Sequence, residues 1–194
     1  MTTTRTRPVR RPSAARTRLL NTASRLFYTE GIRAVGVDRV MDEAEIARGT
    51  FYRHFQGKDD LVQAYLTATD QQIRDRVEAV RAEIGSPADF LRTVAAGIGQ
   101  ELCSAGFRGC PFINAAAEYP DPHSGVHQAV LRHRAWFRDV LQDACRELAV
   151  ADPAKAADTL VALRDGAMVA GYLGDAKTAG ATLAHGVGIL LATG

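Results

Sequence analysis

Apolar side chains recur three and four positions apart along most of this chain, which is the spacing of one face of a helix. Leu19, Leu20, Ala23, Leu26 and Phe27 make such a face over 13–29, with Ser13 as its cap and Gly31 as its stop. Val37, Val40, Met41 and Ala44 repeat the pattern in a short segment. A tight turn and Ile46 follow, and then a second short helix over 48–54. Leu61, Tyr65, Ile73, Val77, Val80 and Ile84 keep the spacing over 58–84, a helix of about 40 Å at ~1.5 Å per residue. Gly85, Ser86 and Pro87 break it, and Pro87 opens the next helix, with Phe90, Leu91, Val94, Ile98 and Leu102 inward. Further helices are predicted over 111–119, from Ser124 to about Leu148, over 153–173 and over 177–192. Val35 and Val37 alternate as a strand would, but no partner strand lies nearby. The expected fold is therefore all-α, with about nine helices: a three-helix head joined to a helical-bundle body.

The stretch 36–55, GVDRVMDEAEIARGTFYRHF, has the pattern of a helix-turn-helix. Phe51 and Phe55 lie four apart and can pack inward, which leaves Arg48, Gly49, Thr50, Tyr52 and His54 facing out. Such a second helix enters the DNA major groove. There Arg48 can read guanine and Thr50 a base edge or methyl, while Tyr52, His54 and Lys58 suit phosphates. With Gly36 and Val37 at the start of the preceding helix, these residues form the candidate DNA-binding set.

Charge strengthens that reading. Residues 1–58 hold 12 basic and 5 acidic residues, a net +7, and the remainder holds 12 basic and 17 acidic, a net −5. A basic head on an acidic body fits a polyanion met by the head alone. The expected organisation is a disordered basic arm at 1–12 (Arg5, Arg7, Arg10 and Arg11 suited to phosphates or a minor groove), a DNA-binding domain at 13–57 and a body at 58–194. No apolar run approaches the ~20 residues of a membrane helix. The N-terminus lacks an apolar signal core, and three scattered cysteines suit reduced thiols. A cytoplasmic protein is expected.

The string RGTFYRHF followed by GKDDL, with Ala23, Leu26, Phe27, Gly31, Val40, Met41 and Ala44 before it, resembles the tetracycline-repressor-like (TetR) family of bacterial transcription regulators over 14–61. More loosely, GCPFINAAAEYPDP, HRAWF and LVALRDGAMVAG resemble a subgroup of its C-terminal domains. The resemblance implies a homodimeric helical repressor that binds an operator and carries a small-molecule pocket, with the body at 58–194 as its ligand-binding and dimerisation domain. Two positions depart from the family pattern. Glu45 stands where the turn usually has Gly, at a cost of about 1 kcal/mol if the backbone is left-handed. Ala47 stands where a Ser or Thr usually caps the recognition helix, forgoing about 1 kcal/mol.

In the body, an apolar cavity between helices with a few polar groups is the usual small-molecule site. The candidate lining is Phe90, Val94, Ile98, Phe107, Phe112, Ile113, Trp136, Phe137, Met168 and Tyr172, with Asn114 and Glu118 as polar groups and Arg134 nearby. Core packing is the competing role for each. Small residues on the last two helices, among them Gly166, Gly171, Gly180, Gly186 and Gly188, permit close helix approach. In a two-fold dimer these helices would pair as a four-helix bundle, with Leu163, Gly166, Ala170, Leu183, Gly186 and Leu190 at the interface.

His123 and His127 are four apart near Glu118, but a linker and a helix start explain them better than a metal. Cys110 at a helix start is either a reactive thiol or a buried inert one. No phosphate loop, nucleophile elbow or catalytic metal set occurs. No cofactor, metal or enzymatic activity is expected. The function expected is a ligand-responsive DNA-binding regulator, a repressor released from a palindromic operator by a small, mostly apolar effector. The alternatives are a helical enzyme or an interaction module without specific DNA binding.

Overall fold

A computed structural model describes residues 13–193; the basic arm expected at 1–12 lies outside the described residues. Nine helices make up the fold among them: α1 (Ala14–Glu30), α2 (Val37–Glu43), α3 (Arg48–His54), α4 (Lys58–Glu83), α5 (Pro87–Leu102), α6 (Pro111–Glu118), α7 (Gly125–Glu147), α8 (Pro153–Leu173) and α9 (Ala176–Thr193). The chain is all-α, as its apolar spacing predicts. It divides into two compact units at Leu61 and Val62. The cysteines are free thiols, Cys103 exposed and Cys110 and Cys145 buried.

The helix boundaries follow from capping chemistry. Ser13 Oγ accepts from the Arg16 amide at 3.2 Å, and Ser124 Oγ from the His127 amide at 3.0 Å. Asp152 Oδ1 takes the Lys155 amide at 3.0 Å. Each bond satisfies an amide that the first helical turn leaves without a partner, a contribution of about 1 kcal/mol. Pro87, Pro111 and Pro153 sit in first turns, where a missing N–H costs nothing.

In the first unit α1, α2 and α3 close over Leu19, Ala23, Leu26, Val40, Phe51 and Phe55, all buried. Ile46 is buried beside the α2–α3 turn, and its amide donates to the Met41 carbonyl at 2.9 Å. Glu45 in that turn has φ 54°, the left-handed backbone that a non-glycine residue adopts at a cost of about 1 kcal/mol. Ala47 caps α3 with no side-chain hydrogen bond.

In the second unit α5 packs against α9, α9 against α8 and α8 against α7. Glycines set the closest approach: a Cβ on Gly180 would lie 3.1 Å from the Gly99 Cα, across the α5–α9 crossing. The segment of α4 within this unit makes no comparably close backbone approach to another helix. Polar and ring contacts tie it to α7 instead. Asp70 Oδ1 accepts from His133 Nδ1 at 2.7 Å, Arg74 Nε donates to Asp70 Oδ2 at 2.7 Å, and the Arg74 guanidinium lies 4.4 Å over the Trp136 ring. Arg81 pairs with Glu147, the last residue of α7. Among the described residues no helix is long and apolar enough to cross a membrane.

Candidate DNA-binding surface and effector cavity

The α3 helix buries Phe51 completely, and Phe55, which ends it, is buried beside it with ring centroids 5.8 Å apart. That anchoring leaves Arg48, Gly49, Tyr52 and Arg53 exposed and Thr50 and His54 half-buried. Tyr52 stands edge-on to Phe51 and is 52% exposed, so its ring is braced while its hydroxyl end is free to meet solvent or a phosphate. Gly36 and Gly49 have no atom within 4 Å of where a Cβ would sit, so a bulky partner can approach the backbone there. Val37 is half-buried at the start of α2.

Several of these polar groups hold internal partners. Arg48 Nη2 donates to Asp38 Oδ1 at 2.6 Å, Ser13 Oγ and His54 Nε2 are 3.0 Å apart, and Lys58 Nζ donates to the Arg33 carbonyl at 3.3 Å. The Arg48–Asp38 pair is two-thirds exposed on both sides, a setting in which ion pairs contribute little and exchange readily. Arg53 was absent from the predicted set, yet it is exposed and donates to Thr50 Oγ1 at 2.8 Å. Its place two residues from Phe51, on the outward arc of α3, was readable from the sequence once Phe51 and Phe55 were assigned inward.

The second unit holds an open cavity of about 380 Å³ bordered by α4, α5, α7 and α8 and by Pro111 at the start of α6. It brings together Val94, Ile98, Phe137 and Met168 of the predicted lining, and adds Ile73, Val77 and Val80 from α4. Those three were legible as the helical stripe of the long helix. The stand-off of α4 makes them a cavity wall rather than closed core. Phe90 and Trp136 border a second cavity of about 300 Å³ with Val77, Arg81 and Glu147.

The remaining predicted lining residues lie elsewhere. Phe112 is buried, stacks on His133 with ring centroids 3.6 Å apart, and borders a small void rather than the 380 Å³ cavity. Asn114 donates its amide to the Arg108 carbonyl at 2.8 Å, and Tyr172 is 49% exposed with the Arg108 guanidinium 5.6 Å from its ring. Phe107, Ile113 and Glu118 are partly exposed and do not border the 380 Å³ cavity. His127 Nδ1 lies 2.7 Å from the Tyr119 carbonyl, which occupies it as a structural histidine.

The polar groups at the cavity are therefore different from those expected. His133 is the one buried polar side chain in the core among the described residues. Burial pushes its pKa down, partly offset by the hydrogen bond to Asp70, so the ring is neutral near pH 7. Arg164 also lines the cavity; its side chain is 12% exposed and donates to Asp165 Oδ1 at 3.0 Å. Cys110, buried at the start of α6, is a hydrogen-bond partner of Arg164. Burial raises the Cys145 thiol, which keeps it protonated and unreactive. The signal for Arg164 was present in LVALRDGAMVAG, where a charged pair interrupts an otherwise apolar stretch.

The interface set also divides. Leu183 is buried in its own subunit's core, and a Cβ on Gly186 would meet Leu163 of the same chain at 2.8 Å. Gly171 packs on Leu102 in the same way, at 2.9 Å. These positions serve internal packing, because the small residues of α8 and α9 first let those helices close on each other and on α5. Gly166 and Ala170 are exposed, and with Val169 and Leu173 they form one outward face of α8. Ile189, at 54% exposure, lies on the outward face of α9 and Leu190 is half-buried.

A three-helix head with an outward-facing second helix of a helix-turn-helix, on a helical body, defines a helix-turn-helix transcription regulator. The family of bacterial regulatory proteins called tetR matches residues 19–65, and the tetracyclin repressor-like C-terminal domain matches residues 103–186. The chain belongs to the TetR family of transcriptional regulators. It is similar over its length to SCO4454, a TetR-family regulator from Streptomyces coelicolor, with 49% identity, TM-score 0.89 and coverage of 92% of this chain and 94% of that one. The transcriptional regulator LmrA of Bacillus subtilis is 24% identical over 153 residues, 76% of this chain and 80% of that protein. The match to the regulator YxaF of Bacillus subtilis, 28% identical, spans only 40% of this chain and 41% of that protein.

Proposed function

We propose that this protein is a cytoplasmic homodimeric repressor that binds a palindromic operator and releases it when a small, mostly apolar effector occupies its body. The observation that carries the reading is the division of α3, with Phe51 buried and Arg48, Tyr52 and Arg53 exposed on one surface. The 380 Å³ cavity falls in the ~300–1,000 Å³ range of small-molecule sites and supports the effector. The exposed apolar face of Gly166, Val169, Ala170 and Leu173 supports a second copy as partner.

In this reading, two heads meet two half-sites about 34–36 Å apart, so operator affinity depends on dimer geometry. An effector between α4 and the α7–α8 wall acts only by favouring one geometry over another. A coupling of about 1–3 kcal/mol changes DNA affinity by ~5–150-fold. Electrophoretic retardation with DNA from upstream of the protein's own gene tests the reading. A shifted band at nanomolar protein supports it; binding indistinguishable from that of random DNA overturns it.

A further inference from the structure

We infer that the effector is an amphipathic organic anion whose acid group is held by Arg164 while its apolar part lies along the α4–α5 wall. This rests on the effector reading above and specifies its ligand class. Arg164 borders the large cavity and two small voids that adjoin it, with Phe137 shared by all three. Arg164 is thus the charged residue common to all three.

Its charge is only partly compensated. Asp165 accepts from Arg164 at 3.0 Å and from Arg134 at 2.6 Å, so two guanidinium groups share one carboxylate. Cys110 is a further hydrogen-bond partner of Arg164. The other ionisable lining groups do not correct the excess. Arg76 and Glu101 carry opposite charges, and His133 is neutral with its Nδ1 occupied by Asp70. A guanidinium carries five N–H donors in a planar fork that suits a carboxylate. A cation withdrawn from water and incompletely paired gains most from an occupant that brings the missing negative charge. The rest of the cavity asks for hydrocarbon: Ile73, Val77, Val80, Val94 and Ile98 line it. Charge at one end and an apolar wall along the other describe a medium-length or aryl carboxylic acid.

The test is calorimetric titration of the full chain with decanoate, decanol and decyltrimethylammonium, all below their micellar concentrations. Decanoate is expected to bind about tenfold or more tightly than decanol, and the cation most weakly. Arg164→Gln should abolish the preference for the acid, and Asp165→Asn should strengthen it, since it strips the competing carboxylate. Gly97→Phe should remove binding of all three probes, because Gly97 borders the cavity with open space at its Cβ. Equal or tighter binding of decanol or of the cation overturns the inference, as does an acid preference that survives Arg164→Gln in a folded protein. Failure of all three probes to bind overturns it too. The wild-type comparison decides even if a variant does not fold. Decanoate binding that leaves operator affinity unchanged upholds this site and overturns the effector reading instead.

Discussion

At the scale of single residues, the recognition helix carries a sharp division of labour. Arg48 is exposed and held by Asp38 in a pair that DNA can displace, so Arg48→Ala should weaken specific binding about tenfold to a hundredfold and relax selectivity at one base position. Lys58→Ala should weaken all sequences alike and reduce the salt slope by about one phosphate. Binding isotherms on matched and mismatched duplexes at several salt concentrations separate the two; unchanged isotherms in both folded variants would remove these residues from the surface. Glu45 makes a second residue-level test. At φ 54° it carries left-handed strain, and glycine relieves that strain while adding freedom to the unfolded chain. Glu45→Gly should raise stability by up to about 1 kcal/mol, a few degrees in Tm. A lower Tm would mean that the turn is not strained. The strain at Glu45 and the missing cap at Ala47 were legible in the sequence as departures from the family pattern, and their cost follows from local turn and cap chemistry. The partner of Arg48 was not, since Asp38 reaches it only through the angle between α2 and α3.

At the scale of elements, the periodicity located all nine helices, because capping residues and prolines mark ends independently of what the helices touch. It did not reveal which side of each apolar stripe was core and which was cavity wall. Ile73, Val77 and Val80 have the same spacing as core residues, and only the stand-off of α4 distinguishes them. The glycines of α8 and α9 show the same limit. Gly180 and Gly186 are small for crossings inside the subunit, whereas Gly166 has open space around it. Gly166→Leu should therefore leave the fold intact and shift sedimentation toward monomer with weakened operator affinity. A wild-type protein that sediments as a monomer at micromolar concentration would contradict the interface. Gly186→Leu is the poorer probe, because it would crowd Leu163 first.

The α4–α7 tether also has a pH signature. His133 has a depressed pKa in the folded protein, so below its ordinary value of about 6.5 the unfolded chain binds a proton that the folded one resists. Stability from this group is thus full above pH 6.5 and falls as the pH drops below it. Thermal melts from pH 7.5 to 5 should show Tm falling with acid, and His133→Gln should flatten that fall. A Tm that rises on acidification would mean that the Asp70 pair dominates over burial.

At the scale of the whole molecule, the chain combines a basic head with an acidic body, and it belongs to a family of transcriptional regulators whose DNA-binding model matches the head. The large cavity exists only in the tertiary structure, since its lining draws on five helices, α4 to α8, that are spread along the sequence. That is why the aromatic residues singled out from sequence spread over two cavities, the closed core and the surface. The central claim, specific operator recognition by a dimer, is tested most directly by selecting bound DNA from a random pool at a defined salt concentration. The account predicts enrichment of one palindromic sequence whose half-site centres lie one helical turn, about 34–36 Å, apart. Recovery of unrelated sequences, or of a single half-site without its inverted repeat, would contradict it.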